Sequence, residues 1–173
     1  MCIKLELREL FFDKHLCITM KKWLFLLFVC SATLSWGQSI FTNTVTDTDP
    51  STSNPYTNGQ TKDPNIIVTG IGRGSGITAA SALNRYSASG WSTGSVDLND
   101  YFEFTLTPNS GYKINFVSFV YTGQASGSGP TTLNFRSSVD SFATNIGSPS
   151  VGGTTISLAD AAYQNLTSSI TFR

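Results

Sequence analysis

The sequence predicts an all-β protein, an antiparallel β-sandwich of jelly-roll-like type that lacks its last strand or strands. Two observations lead to this fold class. Short segments with apolar residues at every second position recur along the chain, separated by clusters of Gly, Pro, Asn and Asp. After residue 37, only one short segment has the pattern of a helical turn. Short strands at near-regular spacing, joined by turn residues, are typical of β-sandwiches.

The N-terminal residues predict export. Residues 20–37 begin with a methionine and two lysines, continue with an apolar run too short to span a membrane, and end in small residues at Gly37. This is the pattern of a signal peptide, and we expect the mature domain to span 38–173. Residues 1–19 place acidic side chains ahead of the signal, so we interpret them as a mis-called extension, the alternative being a cytosolic helix. The expected location is secreted or cell-surface.

Loss of residues 1–37 reduces the kinds of catalytic and metal-binding site that the mature domain can form. The chain after residue 37 contains no cysteine, histidine or methionine. Disulfides, the usual zinc and copper ligands, and Ser/His/Asp or Cys/His catalysis are therefore not expected in the mature domain. Its basic and acidic side chains are nearly balanced, which argues against nucleic acid as a partner. We expect no membrane contact after signal cleavage and no cofactor, with Ca²⁺ as the one alternative.

The first half of the domain predicts short extended pieces. "SIFTNTVT" (39–46) alternates apolar residues and threonines and predicts an edge strand. Residues 47–64 are rich in Pro and Asn and predict a long loop. "NIIVTGIG" (65–72) predicts the next strand. Residues 74–94 are rich in Ser, Ala and Gly and favour short extended pieces over a helix, with Trp91 filling the core.

The clearest pattern lies in the middle of the domain. "DYFEFTLTP" (100–108) places Phe102, Phe104 and Leu106 on one face. After the turn residues that follow it, "YKINFVSFVYTG" (112–123) has Tyr112, Ile114 and Phe116 in phase, and then its apolar positions shift by one residue. We expect the two segments to form an antiparallel hairpin, with a bulge or burial of both faces at the shift.

The last part of the domain predicts three further strands. They are "TTLNFRSS" (131–138), "TTISL" (154–158) and "SSITFR" (168–173), with a helical turn over 159–166. A sheet that ends on "SSITFR" would leave an unpaired apolar edge, which native proteins normally cover. We therefore expect the chain to be the N-terminal part of a longer protein.

The stretch "NIIVTGIGRGSGITAASALNR" (65–85) has the order strand, glycine turn and small-residue helix that is typical of dinucleotide binding. Its glycines lie at every second position from Gly70 to Gly76, which does not fit G-x-G-x-x-G, and no Gly-Lys-Ser/Thr follows. Alternate glycines in a strand leave one face without side chains. We expect a backbone or an aromatic ring to approach that face, or the strand to bulge there.

Asp97, Asn99 and Asp100 form an oxygen-rich cluster in "SVDLNDY". Carboxylate and amide oxygens are ligands that Ca²⁺ prefers, so these residues are candidate metal ligands. Their spacing is not that of a calcium loop, and turn capping ahead of the next strand is the alternative.

Tyr101, Tyr121, Arg136 and Asp140 are the candidate ligand-binding residues. Exposed tyrosines stack on sugar rings, and an outward arginine binds carboxylates or sugar hydroxyls. For Arg136, a pair with Glu103 or Asp140 within the domain is the favoured interpretation, because a carboxylate partner is available there. Paired acids, Glu103 with Asp100 or Asp140, are also the residue types of a glycosidase, but the sequence does not fix their separation, and solvation of turns and of an outer face is the favoured explanation.

The pieces "YFEFTLTP-x-x-G" and "GP...FRSS-x-D-x-F" resemble a recurrent β-sandwich module of secreted and surface proteins of Bacteroidota, over residues 39 to 173. The leader "MKKWLFLLFVCSATLSWGQ" is similar to export signals of the same bacteria. The resemblance implies cargo of the type IX secretion system, downstream domains of the same polypeptide as partners, and one or two more strands after "ITFR". It implies no catalytic residues.

The expected function is therefore a non-enzymatic accessory or structural module of an exported bacterial protein. The alternative is a carbohydrate-binding module attached to a larger extracellular enzyme, with a polysaccharide as its partner. A third hypothesis, that the chain is itself a hydrolase, has the least support because the residues for catalysis are few.

Overall fold

The computed structural model of the chain describes residues 38–92 and 94–173. The predicted extension and signal peptide, residues 1–37, lie outside these residues. The described part contains three single-turn 3-10 helices, at Pro50–Thr52, Ser138–Asp140 and Ala161–Tyr163, and ten short strands. The strands are β1 (Phe41–Asn43), β2 (Gln60–Lys62), β3 (Ile66–Val68), β4 (Gly72–Arg73), β5 (Thr78–Ala79), β6 (Ala88–Ser89), β7 (Phe102–Pro108), β8 (Ser118–Tyr121), β9 (Thr154–Ser157) and β10 (Ile170–Phe172).

The main sheet is built around β7. β10 pairs antiparallel with one edge of β7, so that Leu106 lies opposite Ile170 and Phe104 opposite Phe172. β3 and then β4 pair with β7 as well. The register shifts by one residue between Val68 opposite Leu106 and Gly72 opposite Glu103, which is the signature of a β-bulge at the intervening residues.

The last strand lies inside this sheet. Besides β7, β10 has a second neighbour in residues 135–137, because Arg136 and Arg173 exchange both backbone hydrogen bonds at 2.9 Å and Ser137 forms a bridge with Phe172. Phe135 in turn forms a bridge with Gly147. The unpaired edge expected at "SSITFR" is therefore not found: β10 has a neighbour on both sides.

The second layer is an antiparallel pair of β8 and β9, with Phe119 opposite Ile156. The expected hairpin between 100–108 and 112–123 is wrong, because β7 pairs with β10 and β3 and β8 pairs with β9. Both edges of β7 are occupied by strands distant in sequence, so the chain after Gly111 crosses to the other layer. On the way Ile114 forms an isolated bridge with Leu166. The one-residue shift in apolar phase falls between this bridge and β8, where the chain changes its pairing partner.

Aromatic rings join the two layers into a sandwich. Phe119 of β8 stacks on Phe104 of β7 at 5.7 Å and on Phe135 at 4.3 Å between centroids. Phe135 stacks on Phe172 at 5.1 Å. The antiparallel β-sandwich is thus confirmed, while its jelly-roll connectivity and missing strands stay predictions. The buried apolar cluster consists of Ile66, Val68, Leu106, Ile114, Phe116, Phe135, Ile156, Leu158, Ile170 and Phe172.

Several smaller elements agree with the predictions made from the sequence. The edge strand predicted in 39–46 is β1, although its partner β2 lies within the segment expected to be a loop. Residues 74–94 form the short pair of β5 and β6, as expected. The helical turn predicted in 159–166 is the 3-10 turn at Ala161–Tyr163. Within the described ranges, no helix has the length and apolar character that crossing a membrane requires.

Candidate functional site

The outer face of β7 and β10 carries a ladder of polar pairs. Thr107 is hydrogen-bonded to Ser169 at 2.8 Å and Thr105 to Thr171 at 2.7 Å. One step further in the same register, Arg173 Nε donates to Glu103 Oε2 at 3.0 Å. These residues face away from the core because strand side chains alternate between faces. Cross-strand pairs of this kind stabilise a sheet by about 0.2–1 kcal/mol each.

Arg173 organises the end of this ladder. Its guanidinium carbon lies 3.8 Å from the centre of the Tyr101 ring and 4.0 Å from that of Phe142. Both distances fit cation–π contacts. A planar guanidinium is suited to contacting rings and a carboxylate at once. The Tyr101 ring, a candidate for stacking on sugars, therefore already has a partner within the chain.

Arg136 neighbours this cluster but pairs with neither of its expected partners. Its Nε donates to Asn145 Oδ1 at 2.7 Å and its Nη1 to the carbonyl of Phe142 at 2.8 Å. The predicted pair with Glu103 or Asp140 is wrong. The antiparallel register places Arg173 directly opposite Glu103, so that carboxylate is taken, and Arg136 instead holds the turn over 142–145.

Asp140 caps the same turn. Its carboxylate accepts hydrogen bonds from the backbone amides of Ala143 and Thr144, at 3.2 and 2.9 Å, and from the Thr144 hydroxyl. The hydrogen bond from the Thr144 hydroxyl is the main reason that the pKa of Asp140 lies below its ordinary value. A carboxylate held this way is a turn cap in its charged form.

Tyr121 lies in the other layer, away from this turn. It alternates with Val120, which is 68% exposed, and shares the half-buried inner face of β8 with Phe119. Burial raises the pKa of the Tyr121 hydroxyl. The structure thus brings Tyr101, Arg136 and Asp140 to one end of the main sheet and leaves Tyr121 outside that group.

The candidate metal ligands are engaged in local hydrogen bonds. Asp97 Oδ1 accepts from the backbone amide and the side-chain amide of Asn99, at 2.8 and 3.1 Å. Asp100 Oδ2 accepts from the amide of Ser92 at 2.7 Å. These are the contacts of turn capping. Within the part of the chain that the structure describes, no three His, Cys, Asp or Glu side chains cluster closely enough to hold a metal ion.

The glycine run, Gly70 to Gly76, pairs from Gly72 onward with residues 99–103. Gly72 lies in β4, and the amides of Gly74 and Gly76 continue the pairing by donating to Tyr101 and Asn99 at 2.8 and 3.0 Å. A Cβ on Gly74 would lie 2.3 Å from the carbonyl oxygen of Asn99 and 2.8 Å from ring atoms of Tyr101. The expected approach of a backbone and an aromatic ring to the glycine face is confirmed. The chain then continues into β5 instead of a helix.

A groove of about 280 Å³, here called the Tyr112 groove, lies where the start of β3 passes the segment after Gly111. Three isoleucines, Ile40, Ile66 and Ile114, form its apolar lining, and the last two are buried. Its polar lining consists of Asp63, Asn65, Tyr112, Lys113 and Asn115.

The groove is not apparent from the sequence, because the phase that Tyr112 shares with Ile114 and Phe116 predicts that the Tyr112 side chain faces the core. The side chain is instead 51% exposed, whereas Ile114, two residues later, is buried. The position of Tyr112 and Lys113 directly after a glycine turn could have indicated that both side chains are exposed, since exposed residues concentrate beside turns.

We found no match to the chain among protein-family models, curated proteins or solved structures.

Proposed function

We propose that this chain is a non-catalytic accessory or structural β-sandwich module of an exported bacterial surface or secreted protein. One observation carries the proposal. The side chains that the sequence offered for chemistry are engaged in contacts that hold local structure: Glu103 with Arg173, Asp140 as a turn cap, and Asp97 and Asp100 in the turns before β7.

The electrostatics of the acids support this role. A general acid needs a raised pKa, usually from burial or a nearby like charge. The pKa of Asp140 is lowered, because the Thr144 hydroxyl stabilises the charged form. Glu103 is engaged with the Arg173 guanidinium at 3.0 Å. Asp140 therefore lacks the environment that glycoside hydrolysis requires of its proton donor, and Glu103 is held in an ion pair.

Sugar binding through Tyr101, Tyr121, Arg136 and Asp140 has less support than the accessory role. The Tyr101 ring is already in contact with Arg173. The Arg136 guanidinium donates two hydrogen bonds to the turn over 142–145. Tyr121 faces inward in the other layer. Removing these groups from their present partners would cost the hydrogen bonds that hold them.

Export and accessory status rest on the sequence pattern of residues 20–37 together with the small sandwich that follows. Further domains of the same polypeptide are the partners that such a module would serve. Type IX secretion of a Bacteroidota protein remains the proposed route.

The test is expression of the chain from Met20, the proposed start, in a Gram-negative host, followed by fractionation and N-terminal sequencing. We expect a periplasmic or secreted product that begins at Gln38. Replacing Lys21 and Lys22 by Glu removes the positive start of the signal and is expected to retain the chain in the cytoplasm, whereas the matched change Lys113→Glu in the mature domain leaves export intact. An unprocessed cytoplasmic product of the unaltered chain contradicts the proposal, as does turnover of glycosides or esters by the purified domain.

A further inference from the structure

We propose that the Tyr112 groove binds one ring of a neutral pyranoside. The proposal rests on the non-catalytic role above in one respect, which is that the groove binds its ligand without turnover. Its polar groups have unused hydrogen-bonding capacity, its lining is aliphatic, and an exposed aromatic ring lies at its rim. That combination is the general chemistry of small-ligand sites.

Most polar side chains of the groove remain available to a ligand, the exception being Asn115, whose Oδ1 accepts from the backbone amide of Asn165 at 2.7 Å. Within residues 38–92 and 94–173, the one ion pair joins Arg173 and Glu103, so Asp63 and Lys113 line the same groove without pairing to each other. Asp63 Oδ1 accepts from the Asn65 amide at 2.8 Å, and its second oxygen has no partner among these residues. The Asn65 side-chain amide and the Tyr112 hydroxyl are likewise without partners in the described part of the chain.

The apolar part of the groove suits the ring face of a sugar. A pyranose presents C–H groups on its faces and hydroxyls around its rim, and tyrosine rings stack on such faces. Tyr112 is half exposed, and Ile66 and Ile114 supply the buried lining. The carboxylate and amide of Asp63 and Asn65 would accept from and donate to the hydroxyls at the rim.

The size and charge of the groove narrow the ligand further. Sites for drug-sized ligands enclose about 300–1,000 Å³, and this groove encloses about 280 Å³, which fits a single ring. One acidic and one basic side chain leave it without net charge. A neutral polyhydroxylated ligand therefore fits better than an anion such as a phosphate.

Both walls of the groove are held by backbone hydrogen bonds. The Asp63 amide donates to Ile40 at 2.9 Å, and Ile114 exchanges both bonds with Leu166 at 2.9 and 3.0 Å. The walls are thus ordered before a ligand arrives. A preorganised site loses little affinity to ordering its own side chains and loops.

The experiment is a titration of the ¹⁵N-labelled full chain, followed by NMR shifts. The probes are methyl glycosides of glucose, galactose, mannose and xylose, β-1,4- and α-1,4-linked glucose hexamers, and leucine as a zwitterionic comparison. We expect saturable shifts at Tyr112 and its neighbours with at least one probe, with a dissociation constant of about 1 mM for one ring. Tyr112→Ala is expected to weaken binding by about tenfold.

Matched variants keep the test decisive. Val117 is 64% exposed and lies outside the groove lining, so Val117→Ala is expected to leave the affinity unchanged. Asp63→Asn keeps the shape of the side chain and is expected to weaken binding, because an amide is a poorer acceptor than a carboxylate. Thermal melting of each variant verifies that it is folded.

Several outcomes would overturn the groove proposal. They are the absence of saturable shifts with every probe, shifts unaffected by both Tyr112→Ala and Asp63→Asn, and tighter binding of leucine than of any glycoside, since a zwitterion could also bridge Asp63 and Lys113. New sugar signals from cleavage of a hexamer would instead overturn the non-catalytic role. The two failures are therefore distinguishable in the same samples.

Discussion

Phe172 is the most connected ring of the core, so Phe172→Ala gives the sharpest test of the sandwich. The side chain is 1% exposed, and its ring lies 5.1–5.6 Å from those of Phe135, Phe116 and Phe104 and 6.2 Å from that of Tyr163. Deleting a buried phenylalanine side chain typically costs about 3–5 kcal/mol. Because this ring joins both layers and its neighbours cannot easily collapse, we expect about 4 kcal/mol, within that range.

The assay is urea unfolding of residues 38–173, in which Trp91 is the one tryptophan, followed by fluorescence and circular dichroism. Trp91 is a suitable reporter because its ring packs edge-on against Phe102 at 5.1 Å. A loss of about 4 kcal/mol is a large part of the roughly 5–15 kcal/mol by which domains are stable. If the alanine variant does not fold, Phe172→Leu supplies a milder version of the same test.

Val120→Ala is the control, because Val120 is 68% exposed and its truncation is expected to cost less than about 0.5 kcal/mol. Unfolding of Phe172→Ala at the same urea concentration as Val120→Ala would refute the packing of this ring between the two sheets. In that case the phenylalanine rings would not be packed between two sheets.

Three further perturbations test separate features. Gly74→Ala is expected to destabilise the domain by at least about 1–3 kcal/mol, because its Cβ would overlap backbone and ring atoms, and thermal melting measures this. Ser81→Ala is expected to raise the pKa of Asp49 from about 2 toward its ordinary 3.8, because the Ser81 hydroxyl is the main cause of the lowering, as a carboxyl NMR titration would show. Arg173→Gln is expected to cost about 1–2 kcal/mol in urea unfolding, since it removes two cation–π contacts and an ion pair whose side chains are 28% and 36% exposed.

Each perturbation has its own control or contrary result. Gly127→Ala is the control for Gly74, since nothing lies within 4 Å of its added Cβ, and equal effects would contradict the packing at the glycine run. Because the folded pKa of Asp49 is depressed, the stability it contributes is present above pH 3.8 and is lost as the pH falls toward 2. An unchanged pKa in Ser81→Ala contradicts the assigned hydrogen bond. Loss of folding in Arg173→Gln would contradict the expected cost, because the contacts of Arg173 would then contribute far more to the free energy of unfolding than surface contacts do.

The sequence predicted the strands with the clearest alternation because one face of each is buried. In β7 and β10, the apolar positions Leu106, Ile170 and Phe172 are buried as the period of two requires. The same alternation could not identify which strands are neighbours in the sheet. Alternation tells which face of a strand is buried, whereas the partner of β7 depends on contacts with residues far along the chain, and the adjacent segment 112–123 was wrongly chosen.

The candidate site was predictable only where local chemistry decides it. Turn capping by Asp97 and Asn99 follows from neighbouring residues and could be proposed as an alternative from the sequence. The contacts of Arg173 with Glu103 and Tyr101 depend on the antiparallel register of β7 and β10, which no local pattern specifies. Tyr112 matched the phase of Ile114 but precedes the bridge with Leu166, and so it remains exposed.

Strand pairing is the central claim, because the core, the polar ladder and the Tyr112 groove all depend on it. Nuclear Overhauser effects between backbone protons of the labelled full chain measure that pairing directly. We expect cross-strand contacts between Phe104 and Phe172 and between Phe119 and Ile156. Contacts that place 112–121 beside 102–108 as neighbouring strands, with none between Phe104 and Phe172, would contradict it.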